Sequence, residues 1–143
     1  VLSCEVAMSV FEWKREYATG IDSIDAQHIG LFQSARKLHS AYTEGKARES
    51  VEQTLNHLVV YCSTHFEDEE EHMRRMSYPD LHSHRAAHSI LMTHVHHLEN
   101  KYKNHESDTP MMLSILIVNW LKKHILGLDM QFAAFVKAHE EVK

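Results

Sequence analysis

Apolar residues return at steps of three and four through most of the chain, and four long stretches carry this helical period. The first runs from about Ile24 to Glu44, with Ile24, His28, Leu31, Phe32, Ala35, Leu38 and Tyr42 on one face. Asp22 or Ser23 is suited to cap its start and Gly45 to end it. The second runs from about Ala47 to Met76, with a stripe of Val51, Leu55, Leu58, Cys62, His65, Glu69 and Met73 or Met76. Tyr78-Pro79 closes it and opens a third helix, whose stripe is Leu81, His84, His88, Leu91, Val95, Leu98 and Tyr102. After the polar stretch from Lys103 to Asp108, Thr109-Pro110 reads as cap and first turn of a fourth helix. Its stripe is Leu113, Leu116, Ile117, Trp120, Leu121, His124 and Leu128.

Short links between amphipathic helices favour antiparallel neighbours, so the expected fold is all-α, an up-down-up-down four-helix bundle. The segment before Ile24 is less periodic but holds Phe11, Trp13, Tyr17 and Ile21, and is expected to pack across the bundle as an arm. Residues 1–10 are expected to be a flexible tail or a non-native remnant, and residues 11–143 one domain. Fusion to, or contact with, another protein is a further expectation, since the chain starts with Val1.

Composition agrees with helices. The 143 residues are 43% hydrophobic and contain 4 Gly and 2 Pro, few for a fold that turns every ten residues or so. The net charge is −5 and no basic cluster is present, which argues against nucleic acid as a partner. The apolar run Met111 to Leu121 is too short to span a bilayer, so membrane insertion is not expected. Cys4 and Cys62 form neither a disulfide framework nor a C-x-x-C site; Cys62 lies on an apolar stripe and Cys4 in the tail. This usage suits a cytoplasmic location, and no leader pattern is seen.

One count changes the picture: the chain has 14 histidines, several of them on apolar stripes. A lone histidine in such a place is ordinarily a hydrogen-bonded core residue. Here every helix has at least one: His28 on the first, His65 with Glu69 on the second, His84 with His88 on the third, and His124 with Asp129 nearby on the fourth. Burying that many polar groups together costs several kcal/mol unless each finds a partner, and a shared metal cluster partners all of them. His65/Glu69 and His84/His88 are i, i+4 pairs that project from one face. His124 and Asp129 are five apart, about 140° out of phase on a regular helix. Aiming both inward needs a π-type turn, or a break with Asp129 capping a last short helix, around Gly127. His39, His57, His72, His82, His94, His96, His97, His105 and His139 are expected mostly at the surface, and of the acidic run Glu67 to Glu71 only Glu69 faces inward.

The chain resembles the bacterial hemerythrins from the arm to the end of the fourth helix. The stretches that carry the resemblance are Tyr17-x-x-Gly20-Ile21, Ile24-Asp25-x-Gln27-His28-x-x-Leu31-Phe32, His65-Phe66-x-x-Glu69-Glu70, Tyr78-Pro79, His84-x-x-x-His88 and Trp120-Leu121-x-x-His124-Ile125-x-x-x-Asp129. Arg36 stands where many members have Asn, and Leu91 where an aromatic is common. The resemblance implies a core centre of two iron ions. His84, His88 and His124 would hold one iron, and His28 and His65 the other, which keeps an open position. Glu69 and Asp129 would bridge them beside an oxo or hydroxo group, with Phe32, Trp120, Leu121 and Ile125 lining the pocket. It also implies reversible dioxygen binding, as carrier or store. The alternatives are an oxygen- or redox-sensing domain of a larger protein and a di-iron enzyme acting on peroxide or nitric oxide.

Overall fold

The computed structural model describes residues 9–106 and 108–140. The expectations for residues 1–8, Cys4 among them, and for residues 141–143 lie outside the described residues.

Four helices form the bundle: α1 (Asp22–Thr43), α2 (Arg48–Arg75), α3 (Leu81–Lys103) and α4 (Thr109–His124). A π-helical turn over Ile125–Asp129 joins α4 to a short continuation, α5 (Met130–Glu140). The described residues include no strand. Short links reverse the chain between successive helices, α1 packs on α2 and α4, and α3 packs on the same two, so the ring closes.

The helix ends show where local sequence rules hold. Gly45 has φ +69°, a left-handed conformation that glycine adopts without a Cβ penalty, and α1 stops there as expected. Two of the expected caps are displaced. Asp22 is already helical, with Ile21 at the cap position, and Thr109 is the first residue of α4 behind Asp108; neither cap position uses a side chain. At α1 the work of fixing the start falls instead to Asp25. Its carboxylate accepts from the Thr19 N–H (2.8 Å), the Thr19 hydroxyl (2.8 Å) and the Gly20 N–H (3.1 Å), tying the arm's last turn to the helix.

The arm crosses the bundle as expected. Phe11 and Tyr17 are buried, and the Tyr17 ring stacks on Phe32. Val10 and Trp13 are half-buried against the same core. Phe11 also packs on His39, ring centroids 5.0 Å apart, so His39 is buried and its expected surface position is corrected. His39 follows His28 by eleven residues, three full turns, and therefore shares its inward face.

The apolar interior falls into two clusters. The larger contains Leu31, Leu38, Leu58, Cys62, Leu91, Ile117 and Leu121, and the smaller contains Ile24, Met73, Tyr78, Phe132 and Val136. On every helix the metal-capable side chains fall between the two. His28 lies between Ile24 and Leu31; His65 and Glu69 between Cys62 and Met73; His84 and His88 between Tyr78 and Leu91; His124 and Asp129 between Leu121 and Phe132. A polar layer thus runs through the bundle with hydrocarbon above and below it. This layering also explains one hydropathy signal. Thr109–Glu140, taken as one helix of 32 residues, is long and apolar enough to cross a membrane. Its apolar residues Leu113, Ile117, Leu121, Ile125 and Phe132 are buried in the bundle, so the hydropathy reports core packing.

Candidate metal centre

All seven residues singled out in the sequence meet in the polar layer, and all are buried. They form two groups that share one member: Glu69, His84, His88, His124 and Asp129, and His28, His65 and Glu69.

The π turn is what completes the first group. An extra residue in the turn brings positions i and i+5 onto one side of the helix. His124 Nε2 consequently lies 3.0 Å from Asp129 Oδ1, against the 140° separation of a regular helix. Of the two geometries expected around Gly127, the structure has the π turn.

The distances suit a coordination shell. His84 Nε2 is 2.8 Å from Glu69 Oε1, 2.8 Å from Asp129 Oδ1 and 2.9 Å from His124 Nε2. His88 Nε2 is 3.0 Å from His124 Nε2. On the other side His28 Nε2 is 3.2 Å from Asp129 Oδ2, and His65 Nε2 is 3.2 Å from Glu69 Oε2. An octahedral ion with bonds of about 2.1 Å sets neighbouring donors about 3.0 Å apart, the separation found here. Each carboxylate turns one oxygen to the three-histidine side and the other to the two-histidine side.

The donors also need a cation. Both oxygens of Glu69 and of Asp129, and the Nε2 atoms of His28 and His65, are buried without a hydrogen-bond partner. Leaving such groups unpaired is costly, and protons alone cannot satisfy three converging imidazole nitrogens and two carboxylates. The charge balance points the same way. Burial pushes the His65 imidazole down to about 4, and burial with the neighbouring His124 and His84 pushes His88 far down, so both are neutral lone-pair donors near pH 7. Burial opposes a charge on His84 too, but the two carboxylates 2.8 Å away, Asp129 and Glu69, outweigh it and raise its pKa to about 9. Burial and the nearby Asp129 raise Glu69 to about 7. Burial opposes ionisation of Asp129 as well, yet its contacts with His124, His28 and His84 hold it well below the usual carboxylate range. A proton on His84 occupies the spot between two carboxylates where a metal ion would sit. The donor set therefore fits a metal pair.

Two outer hydrogen bonds orient rings of the donor cluster. His65 Nδ1 is 2.7 Å from Gln27 Oε1, and Gln27 Nε2 donates to Asp68 Oδ2 (2.9 Å). His88 Nδ1 is 3.2 Å from Glu70 Oε2, and Arg85 Nε donates to Glu70 Oε1 (2.8 Å). Glu70 is thus half-buried against the centre rather than part of a solvated face, which corrects the reading of the acidic run. No local spacing signals this contact, because Arg85 and His88 come from the next helix. His72 is half-buried, its ring edge-on to Phe132 at 5.2 Å, and is in neither donor group.

Aromatic rings cover the three-histidine side. Phe66 stacks on His88 at 4.1 Å and Trp120 on His124 at 4.2 Å. Phe32, Leu121 and Ile125 are fully buried, whereas Trp120 is half-buried with its face on His124. A surface cavity of about 420 Å³ between α1 and α2 is lined by Ser23, Ile24, Gln27, Asp68 and Arg75 and reaches Glu69.

Comparison with known proteins agrees with this geometry. The model of the hemerythrin HHE cation binding domain matches residues 19–136. The chain is 32% identical over 132 residues to a bacteriohemerythrin of Stenotrophomonas maltophilia, covering 92% of this chain and 85% of that protein. It is 27% identical over 132 residues to the bacteriohemerythrin of Methylococcus capsulatus, covering 92% and 100%. A myohemerythrin of Theromyzon tessulatum is 29% identical over 122 residues, covering 85% and 90%. A crystal structure of wild-type hemerythrin superposes with a TM-score of 0.79 at 27% identity, covering 86% of this chain and 95% of that one. With a family model spanning most of its length and the buried donor cluster in place, the chain belongs to the hemerythrin HHE cation-binding family.

Proposed function

We propose that this protein binds dioxygen reversibly at a pair of iron ions held in the polar layer. The observation that carries the reading is the two-sided presentation of Glu69 and Asp129, one oxygen of each toward either histidine group. On this reading His84, His88 and His124 would hold one iron and His28 and His65 the other, with Glu69 and Asp129 offered to both. The two-histidine side has one imidazole donor fewer, which would leave room there for an incoming ligand. An iron pair so held would supply the electrons with which dioxygen is bound.

The chain's own residues tune that chemistry. Five neutral imidazoles and two carboxylates give a site less anionic than carboxylate-rich di-iron bundles, so high oxidation states gain less stabilisation and reversible binding is favoured over attack on substrates. Leu121, Ile125 and Phe32, all fully buried, keep water from the layer, and a dry site hinders proton delivery that would release reduced oxygen. Phe66 and Trp120 close the three-histidine side by stacking on its rings, leaving the two-histidine side for access.

The test is iron analysis with the visible spectrum of the reduced protein before and after air, and again after removal of oxygen. Two irons per chain and a spectral change that reverses are expected. One iron per chain, zinc in preference to iron, or a change that never reverses would overturn the reading.

A further inference from the structure

The two halves of the centre are held from behind by different chemistry. On the three-histidine side the partner of His88 Nδ1 is a carboxylate, Glu70, whose other oxygen accepts from Arg85. A carboxylate can only accept, so the imidazole carries its proton on Nδ1 and turns a lone pair inward at Nε2. On the two-histidine side the partner of His65 Nδ1 is the neutral amide of Gln27. Asp68, also acceptor-only, takes the amide N–H, which fixes the amide oxygen toward His65. His28 Nδ1 and His84 Nδ1 have no hydrogen-bond partner among the described residues. His88 is therefore the one ligand ring among these four with an anion behind it.

Resting on the di-iron reading above, we propose that Glu70 and Arg85 act as positioning residues that make the two metal sites electronically unequal. The Glu70 carboxylate draws on the Nδ1–H of His88 and increases electron density at Nε2, which strengthens the bond to a metal ion and favours its higher charge. Gln27 does the same for His65 only as far as a neutral acceptor can. The three-histidine site accordingly binds its ion first and is oxidised at the lower potential, while the site open to an incoming ligand stays reduced more readily. Arg85 moderates the effect: its guanidinium withdraws charge from Glu70, so the ion pair sets how strongly the carboxylate acts on the ring. The pair sits at the surface, with Arg85 49% and Glu70 17% exposed, so either can be changed without opening the core.

Cobalt(II) titration of metal-free protein, read by its visible absorption, separates the two binding steps, and a redox titration of the iron-loaded protein reads the potentials. Glu70→Gln keeps the shape and a hydrogen bond but removes the charge. It should weaken one cobalt step by about 10–100-fold, leave the other near its original value, and shift the lower iron potential upward. Arg85→Gln leaves the carboxylate unmoderated and should shift the same step and the same potential in the opposite direction. Exchanging the acceptors behind His65 with Gln27→Glu combined with Asp68→Asn should strengthen the weaker step and narrow the gap. A purely structural role predicts that Glu70→Gln and Arg85→Gln act in the same direction; that result, or equal effects on both steps, overturns the proposal. Failure of the unaltered protein to take up two ions would overturn the two-metal reading itself.

Discussion

Leu121 sits one turn before His124 with no exposed surface, and its side chain belongs to the hydrocarbon that borders the donor layer. Truncation to alanine should cost about 2–5 kcal/mol of stability, as for other buried leucines. If Leu121 keeps water from the centre, the iron-loaded Leu121→Ala protein should also convert to its fully oxidised form faster in air than the parent at equal iron content. An unchanged rate would pass that role to Ile125, which is equally buried. The two carboxylates have a different signature. Glu69→Ala removes the member common to both donor groups, and Asp129→Ala removes the oxygens that face His84 and His28, so metal analysis should show loss of paired binding in each. His72→Ala supplies the control: its ring packs on Phe132 and belongs to neither donor group, and both ions should remain.

At the level of the element, the π turn is what lets two donors five residues apart share a face. Deleting Gly127 would make His124 and Asp129 an i, i+4 pair on a regular α-helix, about 40° apart and still on one face. The expected outcome is a folded, helical protein that keeps its metal binding, checked by circular dichroism together with metal analysis; loss of metal would show that the π turn does more than set the phase. Gly127 itself is not required there, since a Cβ added at this position would meet nothing within 4 Å and its φ is not positive. Gly127→Ala should retain both ions and raise stability by roughly 0.4–1 kcal/mol through the unfolded chain. Gly30 differs. A Cβ there would run into the hydroxyl of Tyr61, so α1 and α2 approach closely at that point and Gly30→Ala must displace the tyrosine ring.

For the whole molecule, a polar layer between two apolar clusters means that metal and fold stabilise one another, because ions that bind only the folded form add their binding energy to it. Protein stripped of metal should lose stability on the alkaline side of neutrality. His65 has a folded pKa of about 4, below the unfolded value of about 6.5, so the unfolded chain takes up the proton first and stability falls as pH drops through that window. His84 has a folded pKa of about 9, above the unfolded value, so its contribution is complete below about 6.5 and is lost as pH rises through 9. Glu69, raised to about 7, acts against His65 between pH 5 and 7, so the alkaline side gives the clear test: the urea midpoint should be lower at pH 9 than at pH 7. A midpoint that rises from pH 7 to 9 would contradict the His84 assignment. With metal bound, protons compete for the five histidines, so the ions should leave together as pH falls well below about 6.5.

Much of this protein is written locally. The apolar period sets four helices, Gly45 and Pro79 punctuate them, and the inward phase of His28, His65, Glu69, His84 and His88 needs only the 3.6-residue turn. The same rule could have placed His39 inside, since eleven residues is three turns. The π turn was one of two geometries open in the sequence, because His124 and Asp129 cannot share a face on a regular helix. Three features depended on tertiary structure. The start of α1 is fixed by Asp25 reaching back to Thr19 and Gly20 rather than by a cap side chain, a contact that exists only once the arm folds over the bundle. Glu70 found His88 and Arg85 because α2 and α3 pack side by side, so its part in the site depends on a neighbour absent from its own helix. The assignment of each carboxylate oxygen to one histidine group comes from how four helices close a ring. Helical phase states which way a side chain points; only packing states what it meets.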